Sequence, residues 1–413
     1  MLWNMTKHYQ YPMTKRGLVD AYHIDFEAGT KMEAIRIVGT LRGDMNSVRV
    51  LVYCFLCLVL LVGGAMAQPT SAQAQITFVQ ITDAHLFDDD EFANYSALDW
   101  AVSTINRLTA AGRPIDFVVY TGDLGLRNIA FPPTQCEIAP LKSRSDSRSL
   151  DSVIDRLVEV LDRLTVRRLY FLPGNNDLAR EQLGDIGRYQ CFLSKLQERL
   201  NHRAQERIPF EPLAVANLEP DSTFVDGGIR LLGLNDASLK NQQEYEPWCS
   251  EQLESIAPSI WAACPQVQVG RLSRSLKDGA PALIFMHIPY LRDPFPPRAQ
   301  ELPGAWDIPT TLRSEWEQAA CSNNVIAIFA GHFHDSNRDV YGARGRRTLQ
   351  VSRCVSSKTW VAPPLAQEYQ EAQTVQARGF LMITVTSSAV NECTIYWLPG
   401  ANDAADSTTS SCR

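Results

Sequence analysis

The sequence predicts a layered α/β domain, and three observations carry that prediction. Short runs that are apolar throughout recur along the chain, among them Ile76–Thr82, Ile115–Tyr120, Leu169–Leu172, Ala282–Met286 and Val325–Ala330. Such runs suit strands covered on both faces. Stretches with helical spacing of apolar residues lie between them. Most of the runs also end beside a glycine and a carboxylate, amide or imidazole, which is where layered α/β folds gather a site.

The elements follow in chain order. Residues 1–44 mix charges and show no period, and are read as an uncertain extension or a mis-assigned start, with Met45 the expected initiator. Arg49 precedes the apolar run Val50–Val62, and Ala65-x-Ala67 follows it. A run that short, ending in small residues, has the build of a signal peptide over 45–67. An uncleaved anchor and a buried core helix are the other readings, although a full membrane span needs about 20 apolar residues.

Beyond the first strand, Ala97, Ala101, Ile105 and Leu108 make one helical stripe, and Leu150, Ile154, Leu157, Leu161 and Leu164 another. Arg127–Ser149, with paired prolines and several Ser and Arg, reads as an inserted loop, and so does the Pro-rich stretch after His287. Further strands are expected at Ile229–Leu234, Thr348–Val351, Phe380–Val385 and Thr394–Leu398. No linker divides 76–398, so one domain is expected there. Residues 399–413 are rich in Ala, Asp, Ser and Thr and are expected to be a disordered tail.

Composition narrows the function classes. With 45% apolar and 21% charged residues the chain is an ordinary globular one, which excludes collagen, coiled coil and wholesale disorder. A net charge of −7 excludes a bulk electrostatic grip on nucleic acid. Past residue 67 stand Cys136, Cys191, Cys249, Cys264, Cys321, Cys354, Cys393 and Cys412. An even set in an exported chain points to disulfides, with free buried thiols the alternative, and composition does not choose the pairing.

The chemistry lies at five strand ends. They read Asp83-x-His85, Gly122-Asp123, Gly174-Asn175-Asn176-Asp177, His287 and Gly331-His332-x-His334. Four of the seven histidines in the chain stand there. Imidazole with carboxylate suits zinc, iron and manganese. Asp83, His85, Asp123, Asn175, His287, His332 and His334 make too many ligands for one tetrahedral ion and a suitable number for two. Each motif alone is as well explained by a common turn. All five in this order are not.

This series resembles the calcineurin-like metallophosphoesterases. The resemblance implies two mixed β-sheets flanked by helices, a four-layer αββα sandwich, over about 76–398. It implies one ion on Asp83, His85, Asp123 and His334 and a second on Asp123, Asn175, His287 and His332, with Asp123 bridging. The ions, of Mn, Fe or Zn, would share a hydroxide that attacks phosphorus. Within the family, the export signal, Gly228–Asp236 and His287-Ile288-Pro289 are most similar to secreted phosphodiesterases of the acid-sphingomyelinase-like kind.

One departure from the family matters: its third motif usually carries a histidine where this chain has Asn176. That histidine is the family's proton donor to the leaving oxygen, and an amide cannot transfer a proton at neutral pH. Asn176 and Asp177 are therefore the candidate residues for the leaving-group step, with Asp177 either orienting Asn176 or capping a helix. Asp335 either orients His332 or His334 or sits in an exposed turn. His202 is read as a surface helix residue that would have to reach the site to replace the missing acid. Tyr290 and Arg292 are candidate substrate contacts or ordinary loop residues.

The expected activity is hydrolysis of a small phosphorylated or phospholipid-type substrate by an exported enzyme, with phosphodiesters favoured. A phosphomonoesterase, or a secreted metal-binding protein without turnover, is the alternative. Membrane contact is expected only through an uncleaved N-terminal segment.

Overall fold

The strand at Ile76–Ile81 (β1) lies in the middle of a mixed sheet, and the fold is built outward from it. The computed structural model describes residues 75–87, 91–126, 129–130, 148–178, 184–205, 212–235, 254, 261–288, 310–322, 324–332, 334, 349–350, 358–365, 378–399 and 409–412. The chain divides into Met1–Thr70 and Ser71–Arg413, and all described residues belong to the second unit. The signal-like segment therefore lies outside the described residues, as do Tyr290, Arg292, Asp335 and the Pro-rich stretch. Among the described residues no helix is long and apolar enough to cross a membrane.

On one side β1 pairs in parallel with β2 (Phe117–Thr121). Beyond β2 come β5 (Arg168–Leu172) and β6 (Ala214–Asn217), also parallel. On its other side β1 pairs antiparallel with β13 (Gly379–Val385), followed by β14 (Val390–Trp397) and β15 (Thr409–Ser411). The second sheet runs β11 (Leu349–Gln350), β12 (Lys358–Val361), β10 (Val325–Ala330), β9 (Ala282–Met286), β8 (Ile229–Leu234) and β7 (Val225–Asp226). Its four central strands are parallel. The expected inserted loop contributes β3 (Ile129–Ala130) and β4 (Arg148–Ser149), a small parallel pair.

The strands are apolar on both faces because both faces are covered. Along β1, Ile76 and Phe78 point between the sheets while Val79 and Ile81 alternate or pack outward onto helices. Phe78 stacks on Phe117 within its own sheet and meets Phe285 and Phe329 of the other sheet edge-on, at centroid distances of 5.5 and 5.1 Å. Aromatic pairs prefer such stacked and edge-to-face arrangements. Outside the first sheet pack α1 (Glu91–Ala110), α2 (Leu150–Leu161) and α3 (Gly184–Gln205). Outside the second pack α4 (Pro265–Ser275) and α5 (Thr310–Ala320). The four layers are those of an αββα sandwich.

The tail is a correction to the sequence reading. Residues 409–411 form the edge strand β15, and Cys412 is joined to Cys393 of β14 by a disulfide. Polar composition suggested disorder there, but a covalent link and a pairing partner on β14 supply what the segment's own side chains lack. Cys191, Cys264 and Cys321 are disulfide-bonded too.

Candidate metal centre

Both sheets turn at the same end of the sandwich, and seven side chains meet there. The turn after β1 carries Asp83 and His85, the turn after β2 carries Asp123, and the turn after β5 carries Asn175. His287 follows β9, and His332 and His334 follow β10. Each sheet thus supplies part of the set. Asp83, His85 and His287 are fully buried, Asp123 nearly so.

The backbone at these turns is unusual. Among the described residues the non-glycine positions with positive φ are Asp83 (50°), His85 (42°), Asp123 (62°) and His332 (72°). The left-handed region costs L-residues energy, and such outliers collect at functional sites. All four are members of the cluster. Gly122 (φ 89°) lets two turns close on each other: a Cβ there would lie 2.6 Å from His287 Nδ1 and 2.7 Å from the Cα of Gly174.

Two sets of donor atoms converge. In one, His334 Nε2 stands 2.9 Å from Asp83 Oδ1 and 3.3 Å from His85 Nε2. In the other, His287 Nε2 stands 3.2 Å from His332 Nδ1, 3.2 Å from Asn175 Oδ1 and 3.3 Å from Asp123 Oδ2. Separations of that size are the edges of a coordination polyhedron with bonds of about 2.0–2.2 Å. The donor chemistry, imidazole nitrogen with carboxylate and amide oxygen, fits zinc, manganese or iron. Grouped by distance alone, ligand atoms of Asp83, His85 and His334 lie within 4.8 Å of one another, as do those of Asp83, Asp123, His287 and His332. Asp83 is common to both groups. Asp123 feels the charge of His85 on one side and of His287 and His332 on the other.

The orientation of His287 is fixed from behind. His287 Nδ1 lies 2.7 Å from the carbonyl of Thr121, which can only accept, so Nδ1 carries the proton and Nε2 is left to bind. Burial raises the pKa of the Asp83 carboxyl, but His287 and the hydrogen bond from His334 outweigh it and lower the value to about 2. Burial likewise opposes ionisation of Asp123, and His287, with His85 and His332, holds it well below the usual carboxylate range. Both aspartates are therefore anionic.

Asn176 and Asp177 take parts that the sequence did not reveal. Asn176 turns onto Asp123: its backbone N–H donates to Oδ1 at 2.7 Å and its Nδ2 to Oδ2 at 2.6 Å. Asp177 faces the main chain. Its Oδ2 accepts from the N–H groups of Asp123 and Gly174, both at 2.9 Å. Its Oδ1 accepts from Leu124 at 2.9 Å, Gly125 at 3.0 Å and Leu126 at 3.3 Å. Burial and the nearby Asp123 charge raise its pKa to about 6, against the pull of those backbone donors. It does not begin α3, which starts at Gly184. His202 lies exposed in the last turn of α3.

Tyr120 and Thr82 are contributors that sequence reasoning missed. The Tyr120 hydroxyl accepts from the N–H of Ala84, between the two ligands of the first turn, and donates to the carbonyl of Asp123. Thr82 Oγ1 donates to Asp83 Oδ2 at 2.6 Å. Both sit inside apolar runs, where their only sequence signal is a polar group facing a core.

The site accounts for the comparisons with known proteins. No curated protein matches the chain. The family model described as calcineurin-like phosphoesterase matches residues 76–336, more than half of the chain and every turn that supplies a residue of the cluster. With the two-sheet fold, the buried Asp/His cluster and this match in agreement, the chain belongs to the calcineurin-like phosphoesterase family.

Proposed function

We propose that this chain is a metal-dependent phosphoester hydrolase that takes two divalent ions, acts on phosphodiesters in preference to monoesters, and works outside the cytoplasm. The observation that carries the reading is the pair of converging donor sets, one from Asp83, His85 and His334 and one from Asp123, Asn175, His287 and His332. Asp123 is the candidate bridge, since histidines of both sets act on it. When bound, the ions would supply an activated water at neutral pH and positive charge for the phosphoryl oxygens.

The chain's own residues do the rest. The Thr121 carbonyl holds His287 in the binding tautomer. Asp177 ties the Asp123 turn to the Gly174 turn, so that the ligands are in place before anything binds. Asn175 gives a neutral oxygen, which limits the negative charge gathered at the site. Asn176 presents an amide where the family has an acid, and both of its donors face Asp123. A diester with a good leaving group needs least help from a proton donor, and this supports the diester preference.

Export is supported by the signal-like segment and by the disulfide-bonded cysteines, which persist in oxidising compartments. The acid-sphingomyelinase-like branch remains part of the same proposal, resting on the sequence resemblance. Metal analysis of the purified protein, followed by assay on matched mono- and diesters, tests the reading. Two ions per chain and faster diester hydrolysis are expected. A metal-loaded protein without turnover on any ester would instead favour the binding-protein reading that Asn176 permits.

A further inference from the structure

Gln80 is an amide in a place where the core is otherwise apolar. It shares the inner face of β1 with Phe78 and is fully buried between the sheets. Its Nε2 uses both protons. One goes to Thr121 Oγ1 at 2.9 Å, on β2 of the same sheet, and the other to the carbonyl of Ala330 at 2.8 Å, on β10 of the opposite sheet. A single carboxamide nitrogen therefore spans the sandwich directly beneath the site. Thr121 stands two residues before Asp123, and Ala330 two residues before His332.

The span continues upward through Thr121. Its hydroxyl accepts from Gln80, and its carbonyl holds His287 Nδ1, a ligand from the other sheet. Gln80 is thus two hydrogen bonds from the ring of a candidate ligand histidine on one path and two residues from another candidate ligand on a second. Its own Oε1 has no partner among the described residues. A buried acceptor left unpaired costs stability, and a methionine of similar length would avoid that cost. Stability alone gives no reason for glutamine here, and the two cross-sheet donations do.

We infer that Gln80 is a positioning residue for the metal centre: by tying Thr121 to Ala330 it sets how the ligands of one sheet stand against those of the other. The inference rests on the two-ion reading above. Coordination tolerates displacements of only about 0.5 Å, so loss of this tie should be felt most by the ion of Asp123, Asn175, His287 and His332, because Thr121 holds His287 and leads into Asp123 while Ala330 leads into His332.

The test titrates manganese(II) into the metal-stripped protein by calorimetry, beside thermal unfolding and steady-state kinetics. For Gln80→Met we expect an unfolding temperature equal to or above that of the unsubstituted protein. The first ion should bind as before and the second at least tenfold more weakly, with kcat lowered and KM unchanged. Thr121→Val, which removes the acceptor, should repeat the loss, Thr121→Ser should restore binding, and the double variant Gln80→Met/Thr121→Val should be no worse than either single one. If Gln80→Met does not fold, the Thr121→Val and Thr121→Ser pair carries the comparison. One ion in the unsubstituted protein would overturn the two-ion reading itself. Two ions there, with the second bound equally well by the variants, would overturn the role of Gln80 alone. So would a parallel fall in unfolding temperature and in the affinity of both ions, which would make Gln80 a structural residue only.

Discussion

Asp177 acts on the main chain, and it is the residue whose loss should be most instructive. Five N–H groups converge on its two oxygens, and four of them belong to the turn that presents Asp123. Asn in its place would keep one acceptor and aim an NH2 group at donors. Each charge-assisted bond lost is worth roughly 1.5–3 kcal/mol, so Asp177→Asn should destabilise by at least that much and weaken metal binding; chemical denaturation and calorimetry check both. Asp123→Asn should abolish hydrolysis and lower metal content while circular dichroism stays native, because the change leaves the core untouched. Asn176→His would place a proton donor on the turn that now serves Asp123. General acid help is typically worth about 10²–10⁴-fold where protonation limits the rate. The gain should therefore be larger for alkyl than for nitrophenyl esters at equal metal content, and an unchanged ratio would mean that position 176 is not beside the leaving group. The residues that meet in the cluster were legible because histidine and aspartate at strand ends stand out in any sequence. The parts played by Asn176 and Asp177 were not, since nothing in the letters says which way a polar side chain turns inside a loop.

At the scale of elements, what could be read depended on length and on symmetry of burial. The spans β8, β9 and β10 were read to the residue, because each is buried on both faces and bounded by polar residues. Helix α3 was anticipated only at His202, although Tyr189, Phe192, Leu196 and Leu200 are buried along it, a helical stripe diluted by many charged neighbours. Strands β7 and β12 run two and four residues, too short to show a period, whereas β11 lies within the expected run Thr348–Val351; Lys358–Val361 is a strand because β10 pairs with it. The aromatic seam between the sheets is where an element's contribution can be measured. Phe78 is wholly buried against Phe117, Phe285 and Phe329. Truncating a buried aromatic costs about 3–5 kcal/mol, so Phe78→Ala should lower the denaturant midpoint accordingly. It should also loosen metal binding, since the ligand turns grow directly from these strands.

For the whole molecule, two kinds of linkage add to the apolar packing. One is the disulfide between Cys393 and Cys412, which closes a loop of 19 residues. A loop of that size is worth about 3 kcal/mol in the unfolded-chain account, so Cys412→Ser should lose about that much in reversible unfolding, with β15 the first strand to exchange its amides. The other is metal. Ions that bind only the folded chain stabilise it by mass action, about 2.7 kcal/mol at a hundredfold excess over Kd. Chelation should therefore lower the unfolding temperature, and manganese or zinc should restore it.

The division of the ligands between two sheets also has a consequence in time. Asp83, His85, Asp123 and Asn175 all lie in the first part of the chain, and His287, His332 and His334 arrive more than a hundred residues later. β1 itself waits longer still for β13, whose register pairs Ile76 with Val385. A growing chain released only as far as α4 would hold the carboxylates and a single cluster histidine, with one side of β1 unpaired. Pairings so distant in sequence form late. The centre is therefore among the last features to be completed during synthesis, and a nascent or truncated chain should neither retain the ions nor turn over an ester.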